Sequence, residues 1–167
     1  MSKLKLKKHL QDLNEEQLRE QIVELYDKFK PVKTYFNFAF NPREDKLIEE
    51  AKVKISKEYF PTTKRRAKLR RTTATKLVKH FQSLEMSPDK IADIMLFAIE
   101  IAQTYTETRT IKNDNFFIGI YRQYTDALQW ISGNNLMHMF KGRLEKIVED
   151  TWDQDWFNKN SFQDMAP

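Results

Sequence analysis

The chain has 167 residues, of which 40% are hydrophobic and 32% are charged, and its net charge is +5. This length suits one buried core and is short for two domains, so we expect one helical domain over residues 1–167. Three glycines and five prolines are too few for the many turns of an all-β fold. The absence of cysteine excludes disulfides, thiolate metal sites and a cysteine nucleophile.

Helical patterning starts close to the N-terminus. We expect a first helix over residues 3–13 and a second over 15–29, the second opened by a capping box between Asn14 and Gln17. Pro31 is expected to end this second helix. Its apolar residues recur with the period of one helix face, at Leu18, Ile22, Leu25, Tyr26 and Phe29.

Residues 32–41 have a different pattern, because Phe36, Phe38 and Phe40 alternate with a period of two. We interpret this segment as an extended connector that lays aromatic rings over the core. A short strand or one wall of a pocket is the alternative interpretation.

Five further helices are predicted in the rest of the chain. They occupy residues 42–59, part of 63–84, and then 87–105, 113–132 and 136–151. Asn41 and Pro42 are expected to open the third helix. Gly119 is expected to allow close helix packing, and Gly133 to end its helix in the left-handed conformation.

The predicted fold is therefore all-α, with about seven helices and no significant β-sheet. A compact bundle and a short stack of helical hairpins fit the pattern equally well. The second, fifth and sixth helices have the most continuous apolar faces and are expected to form the core. Residues 153–167 form a C-terminal tail that is expected to dock in part, through its aromatic residues.

Several short motifs resemble a family of small bacterial proteins known only as a domain of unknown function. They begin with the run from Leu6 to Leu18 and continue with Lys33-Thr34-Tyr35 and Asn41-Pro42. Later matches are the five residues 57–61, which end at Pro61, and residues 91–96 and 146–150. The resemblance implies a bacterial, cytosolic, helical protein. It implies no activity and no site residues.

Motifs for chemistry are missing from the sequence. His9, His80 and His138 lie on three different predicted helices and lack metal-binding spacing. No glycine-rich phosphate loop and no nucleophile elbow occurs. We therefore expect no catalytic residue, no metal and no cofactor. A non-enzymatic protein is favoured, and an enzyme whose site is assembled from scattered acids and the aromatic segment stays open as an alternative.

Targeting signals are missing as well. The lysine-rich N-terminal segment has no apolar core of a secretory signal, and the longest apolar run, residues 94–99, is far shorter than a membrane span. We therefore expect a cytoplasmic protein without a membrane segment.

The strongest functional signal is a basic segment. Residues 62–83 contain eight basic and no acidic groups, whereas residues 84–167 have a net charge of −5. The segment's basic residues are Lys64, Arg65, Arg66, Lys68, Arg70, Arg71, Lys76 and Lys79.

Three interpretations of this segment remain open. It is a solvated surface with ion pairs to the acidic C-terminal half, a contact to the nucleic-acid backbone, or a contact to an acidic protein or anionic ligand. Because Arg70 and Arg71 continue the apolar face of the helix predicted there, we expect at least one to be partly buried against a carboxylate beyond Glu85. The leading hypothesis for function is a non-enzymatic helical binding module for a macromolecular partner. The alternative is sequence-nonspecific nucleic-acid binding through residues 64–79.

Overall fold

The structure, a computed structural model, describes residues 2–167. This part of the chain contains nine helices and no strand, which confirms the all-α prediction and corrects the number of helices. None of its helices combines the length and the apolarity that a membrane crossing requires. The chain divides into two compact units, one ending at Arg43 and one beginning at Glu44. Organisation as a single domain stays a prediction.

The first unit contains α1 (Lys3–Gln11), α2 (Glu15–Lys28) and α3 (Lys30–Phe40). The predicted capping box is confirmed, since the Asn14 side chain accepts from the Gln17 N–H at 2.9 Å and the Gln17 side chain accepts from the Asn14 N–H at 3.0 Å. None of the described residues in these helices is buried. The prediction that α2 belongs to the core is therefore wrong: this helix packs on α3 within its unit, for example through Tyr26 and Phe36, but buries none of its residues.

The prediction of an extended connector over residues 32–41 is also wrong. Pro31 lies in the first turn of α3, where its missing N–H costs no hydrogen bond, so it starts this helix. Phe29 is extended, with φ −120° and ψ 110°, and separates α2 from α3. Phe36 and Phe40 are one helical turn apart and stack with ring centroids 5.9 Å apart. The alternation of phenylalanines therefore concealed a helical i, i+4 pair.

The second unit contains the remaining six helices. They are α4 (Glu44–Tyr59), α5 (Thr72–Ser83), α6 (Pro88–Glu107), α7 (Asp114–Gly133), α8 (Met137–Asp153) and α9 (Lys159–Asp164). α6 is the centre of this unit, since α4, α5, α7 and α8 all pack on it. The buried apolar residues of α6 and α7 confirm that these two helices belong to the core.

The C-terminal segment of this unit is fastened by aromatic side chains. Phe162 of α9 is fully buried, and its ring lies 5.2 Å from that of Tyr121 and 5.1 Å from that of Tyr124, both on α7. Trp156 packs on Phe162 with ring centroids 5.8 Å apart. Burial of such rings is a large apolar contribution, so this contact holds α9 against α7.

Two turn predictions need correction. Gly133 is the last residue of α7 and does not have a positive φ; Asn135 has the left-handed conformation instead, with φ 58°. Asparagine tolerates that conformation because its short side chain hydrogen-bonds locally. α4 begins at Glu44, two residues beyond Pro42, so Pro42 does not occupy the first helical position.

Candidate anion-binding site

The basic segment is mostly not helical. α5 begins only at Thr72, inside the predicted range of 63–84, so the expectation that Arg70 and Arg71 continue the apolar face of this helix is wrong. Residues 60–71 instead form a connection between α4 and α5, which we call the basic loop. A helix start disfavours cations, and Leu69 has a left-handed backbone with φ 53°, which no helix continues through.

Glu58, near the end of α4, fastens this loop with its main chain. Its carbonyl oxygen accepts hydrogen bonds from the backbone N–H groups of Lys68 and Leu69, at 2.9 and 3.0 Å. These bonds use a carbonyl that the end of a helix leaves without an intrahelical donor. The loop therefore returns to the helix that it left.

The carboxylate of Glu58 fastens the loop a second time. Its two oxygens accept from Nε and Nη2 of Arg70, each at 2.9 Å, and Oε1 also accepts from the Thr73 hydroxyl at 3.0 Å. The Glu58 side chain is only 10% exposed. Hydrogen bonds from Arg70 outweigh burial and hold the pKa of Glu58 below its usual value. The bidentate geometry fixes Arg70 in one orientation.

Arg71 is held by backbone oxygens. Its Nη1 donates to the carbonyl oxygens of Asn115 and Phe116, at 2.6 and 2.7 Å, in the first turn of α7. A Cβ atom on Gly119 would lie 1.6 Å from Nη1 of Arg71, so the guanidinium occupies the space that this glycine leaves open. Close helix packing at Gly119 stays a prediction; the atoms nearest to its open side belong to the Arg71 side chain.

Arg70 and Arg71 thus differ from the other cations, as expected, but their partners differ from the prediction. The partner of Arg70 is Glu58, which precedes the basic segment, and the expected carboxylate beyond Glu85 is not used. The Arg70 side chain is 56% exposed despite this pairing. Arg71 is half-buried and bonds to main-chain oxygens.

The other cations of the segment are open. Among residues 2–167, no salt bridge involves any of Lys64, Arg65, Arg66, Lys68, Lys76 and Lys79. All but the two lysines of α5 lie in the basic loop, and those four are exposed. Acidic residues of the C-terminal half pair with other bases, for example Asp93 and Glu100 with Arg143. The interpretation of internal ion pairs therefore does not apply to these loop residues.

A cavity of about 230 Å³ opens at the basic loop. Four of the predicted residues line it, namely Arg65, Arg66, Lys68 and Arg70. Sequence reasoning missed the other members of the lining, which are Lys57, Glu58, Pro61, Thr62 and Thr63. One signal could have identified Glu58: it is the last acidic residue before a stretch, 59–84, that has none.

The structure does not unite the whole predicted site. Lys64, Lys76 and Lys79 are not part of this lining, and Lys79 borders a separate groove between α5 and α7. The eight predicted residues therefore divide into an open cluster at the cavity, two fastened arginines and the outlying lysines. We call Lys57, Arg65, Arg66 and Lys68 the cation cluster.

Comparison with known proteins gives one result. A family model described as a family of unknown function, DUF6155, matches residues 1–166. The chain belongs to this family. No curated protein and no solved structure matches the chain. Membership of DUF6155 assigns neither an activity nor a site residue.

A half-buried ion network elsewhere in the second unit holds helices together. Arg143 of α8 bonds Asp93 and Glu100 of α6, at 2.7 and 2.8 Å, and Lys52 of α4 reaches Asp93 at 2.9 Å. Burial opposes ionisation of Asp93, but the hydrogen bonds from Lys52 and Arg143 outweigh it and keep its pKa below the usual value. Within the described part of the chain, no group of three or more histidine, aspartate or glutamate residues is placed to hold a metal ion.

The contact of Arg71 with Gly119 predicts opposite effects at two glycines. Gly119→Ala displaces the guanidinium and its two hydrogen bonds, which outweighs the gain in helix propensity of about 1 kcal/mol. We expect the free energy of unfolding to fall by about 1 kcal/mol. Gly142→Ala in α8 meets no atom within 4 Å and should raise it by up to about 1 kcal/mol. Urea denaturation of both variants checks this.

The Arg71→Ala background serves as the control. Without the guanidinium, Gly119→Ala should stabilise the protein as Gly142→Ala does. Destabilisation that persists in that background would show that another group occupies the space beside Gly119.

Proposed function

We propose that this protein is a non-enzymatic helical binding module that recognises a macromolecular partner through its basic loop. The observation that carries the proposal is the cation cluster, which is exposed at a cavity and forms no salt bridge in residues 2–167. Open cations of one sign at a concave surface favour association with a negatively charged partner. The partner is therefore expected to be acidic.

The fastening by Glu58 supports a binding role over a merely solvated surface. A connection of this length that is bonded to Glu58 at Lys68, Leu69 and Arg70 is held in one conformation near its C-terminal end. Holding a loop before its ligand arrives reduces the ordering cost of binding. The cations of the basic loop are thus held close together in a fixed place, although their mutual repulsion opposes this arrangement.

The nucleic-acid backbone is the second candidate for the partner. Arginine matches phosphate oxygens with two parallel donors, and the cluster contains two arginines that form no salt bridge in the described part of the chain. The fold restricts this candidate, however. Because Arg70 and Arg71 are fastened and Lys79 faces a different groove, the contact spans only three or four phosphates.

A salt titration tests both candidates. For three or four phosphate contacts, the logarithm of affinity for duplex DNA should fall against the logarithm of salt with a slope of about −3 to −4. Between 50 and 200 mM salt the affinity should therefore fall roughly a hundredfold, and equally on unrelated sequences. Fluorescence anisotropy with labelled duplexes measures this.

Labelled polyglutamate is the parallel probe for an acidic protein partner. Binding of polyglutamate without binding of DNA or RNA would retain the binding module and reject the nucleic-acid candidate. If none of the three polyanions binds at 50 mM salt, the basic loop is not the contact surface and the proposal is wrong.

A further inference from the structure

We infer that the cavity at the basic loop is a binding site for a phosphate monoester, the group found at the end of a nucleic-acid strand, on a phosphorylated side chain or in free phosphate. This inference rests on the proposed function and specifies the chemistry that the site recognises. It starts from the arrangement of the cations. They surround one cavity, whereas a surface that tracks a backbone presents its cations along a line.

The charge of the lining matches a dianion. Glu58 is the one acidic residue of the lining, and both of its oxygens accept from Arg70. Within residues 2–167, the four residues of the cation cluster form no salt bridge. A phosphate monoester has a charge of about −1.5 to −2 at pH 7, whereas an internal phosphodiester has about −1. A monoester therefore compensates more of this charge from a single position.

The donors of the lining are also those that a terminal phosphate uses. A monoester presents three strongly accepting oxygens. Arg65 and Arg66 offer paired N–H donors, and Thr62 and Thr63 add hydroxyl groups beside them. A phosphodiester leaves only two such oxygens for the same set of donors.

The lining contains no aromatic ring, and this excludes a site built to stack a nucleobase. The side chains that could contact a ligand are cationic or hydroxylic, so they bind the phosphate and not the group to which it is attached. Recognition is expected to depend on the number of charges on phosphorus and to be indifferent to base sequence.

The test compares two single strands of twelve nucleotides that differ only in a phosphate or a hydroxyl at the 5′ end. At pH 7.5 and 150 mM salt, the phosphorylated strand should bind at least about tenfold more tightly, since hydrogen bonds to charged groups are strong. The preference should shrink toward pH 5, below the second phosphate pKa of about 6. Arg65→Gln with Arg66→Gln should abolish it.

Competition identifies the source of the monoester. Displacement of the strand by inorganic phosphate at millimolar concentration supports a site for the free ion. Displacement by a phosphoserine peptide at a lower concentration than the strand itself would assign the site to a phosphorylated protein. Either result retains the inference, because both competitors contain the same dianionic group.

Failures of the two proposals can be told apart. Equal affinity of the two strands overturns the monoester site but leaves the binding module intact. If neither strand binds and neither phosphate nor the phosphopeptide shifts the thermal unfolding temperature, the monoester site is overturned; the binding module fails with it only if polyglutamate does not bind either.

Discussion

Simultaneous replacement of Arg65, Arg66 and Lys68 by glutamine is expected to reduce the affinity for polyanions at least about a hundredfold at 50 mM salt. The three residues supply most of the open charge at the cavity. Each charge-assisted hydrogen bond to phosphate contributes on the order of 1.5–3 kcal/mol, and the neutral amides of three glutamines do not restore such bonds. Anisotropy titrations with duplex DNA and with a 5′-phosphorylated strand measure the loss.

The matched control is the triple variant Lys46→Gln, Arg109→Gln and Arg122→Gln. It removes the same three charges from exposed residues that form no salt bridge in the described part of the chain. Its affinity should fall only by the small amount that the change in net charge causes. Both triple variants should unfold within about 0.5 kcal/mol of the parent protein. Equal losses of affinity in the two triple variants would show that binding depends on the net charge of the protein and not on a site at the cavity.

Glu58→Gln is expected to lower the free energy of unfolding by about 1–2 kcal/mol at pH 7. The substitution keeps the shape of the side chain but removes the charge that Arg70 and Thr73 hydrogen-bond. The effect is smaller than for a fully buried pair because the Arg70 side chain is more than half exposed. Glu50, an exposed residue of the same helix, forms no salt bridge within residues 2–167, so Glu50→Gln should change stability by less than about 0.5 kcal/mol.

The pH dependence of this effect has a definite sign. The pKa of Glu58 is lower in the folded protein than its ordinary value of 4.5. The contribution of Glu58 is therefore fully present above the unfolded pKa and is lost as pH falls through the folded pKa. The difference in the free energy of unfolding between the parent protein and Glu58→Gln, measured by urea denaturation, should be constant from pH 6 to 8 and should disappear below pH 4.5. A difference that widens on acidification would contradict the assignment of Glu58 as an ionised acceptor.

The parts of the fold that sequence predicts well are those where local signals and tertiary packing agree. The buried faces of α6 and α7 follow from their long apolar stripes, and the start of α2 follows from its complete capping box. α3 was missed because two spacings compete in the same segment. Phe36, Phe38 and Phe40 satisfy a period of two, while the Phe36–Phe40 stack satisfies a helical turn.

The site was only partly accessible to sequence reasoning. Charge density identified Arg65, Arg66 and Lys68 without knowledge of the fold. It could not separate them from Arg70, because the partner of Arg70 is twelve residues away and is brought close only when the loop returns to α4. Arg71 was still less predictable, since its partners are main-chain oxygens 44 and 45 residues further along the chain. Every residue has a main-chain oxygen, so the residue types of a sequence do not indicate which of these oxygens accepts a hydrogen bond from Arg71.

The affinity of Glu58→Gln for the 5′-phosphorylated strand tests the central claim most directly, namely that Glu58 holds the cation cluster in its binding arrangement. Electrostatics alone predicts tighter binding, because the substitution removes a negative charge beside the cavity and releases Arg70. The anchoring role predicts weaker binding, because the loop keeps its main-chain bonds to Glu58 but loses the side-chain anchor at Arg70, so more of its ordering cost falls on ligand binding. We expect the affinity to fall roughly tenfold, while Glu50→Gln leaves it unchanged. An affinity equal to or higher than that of the parent protein would contradict the account.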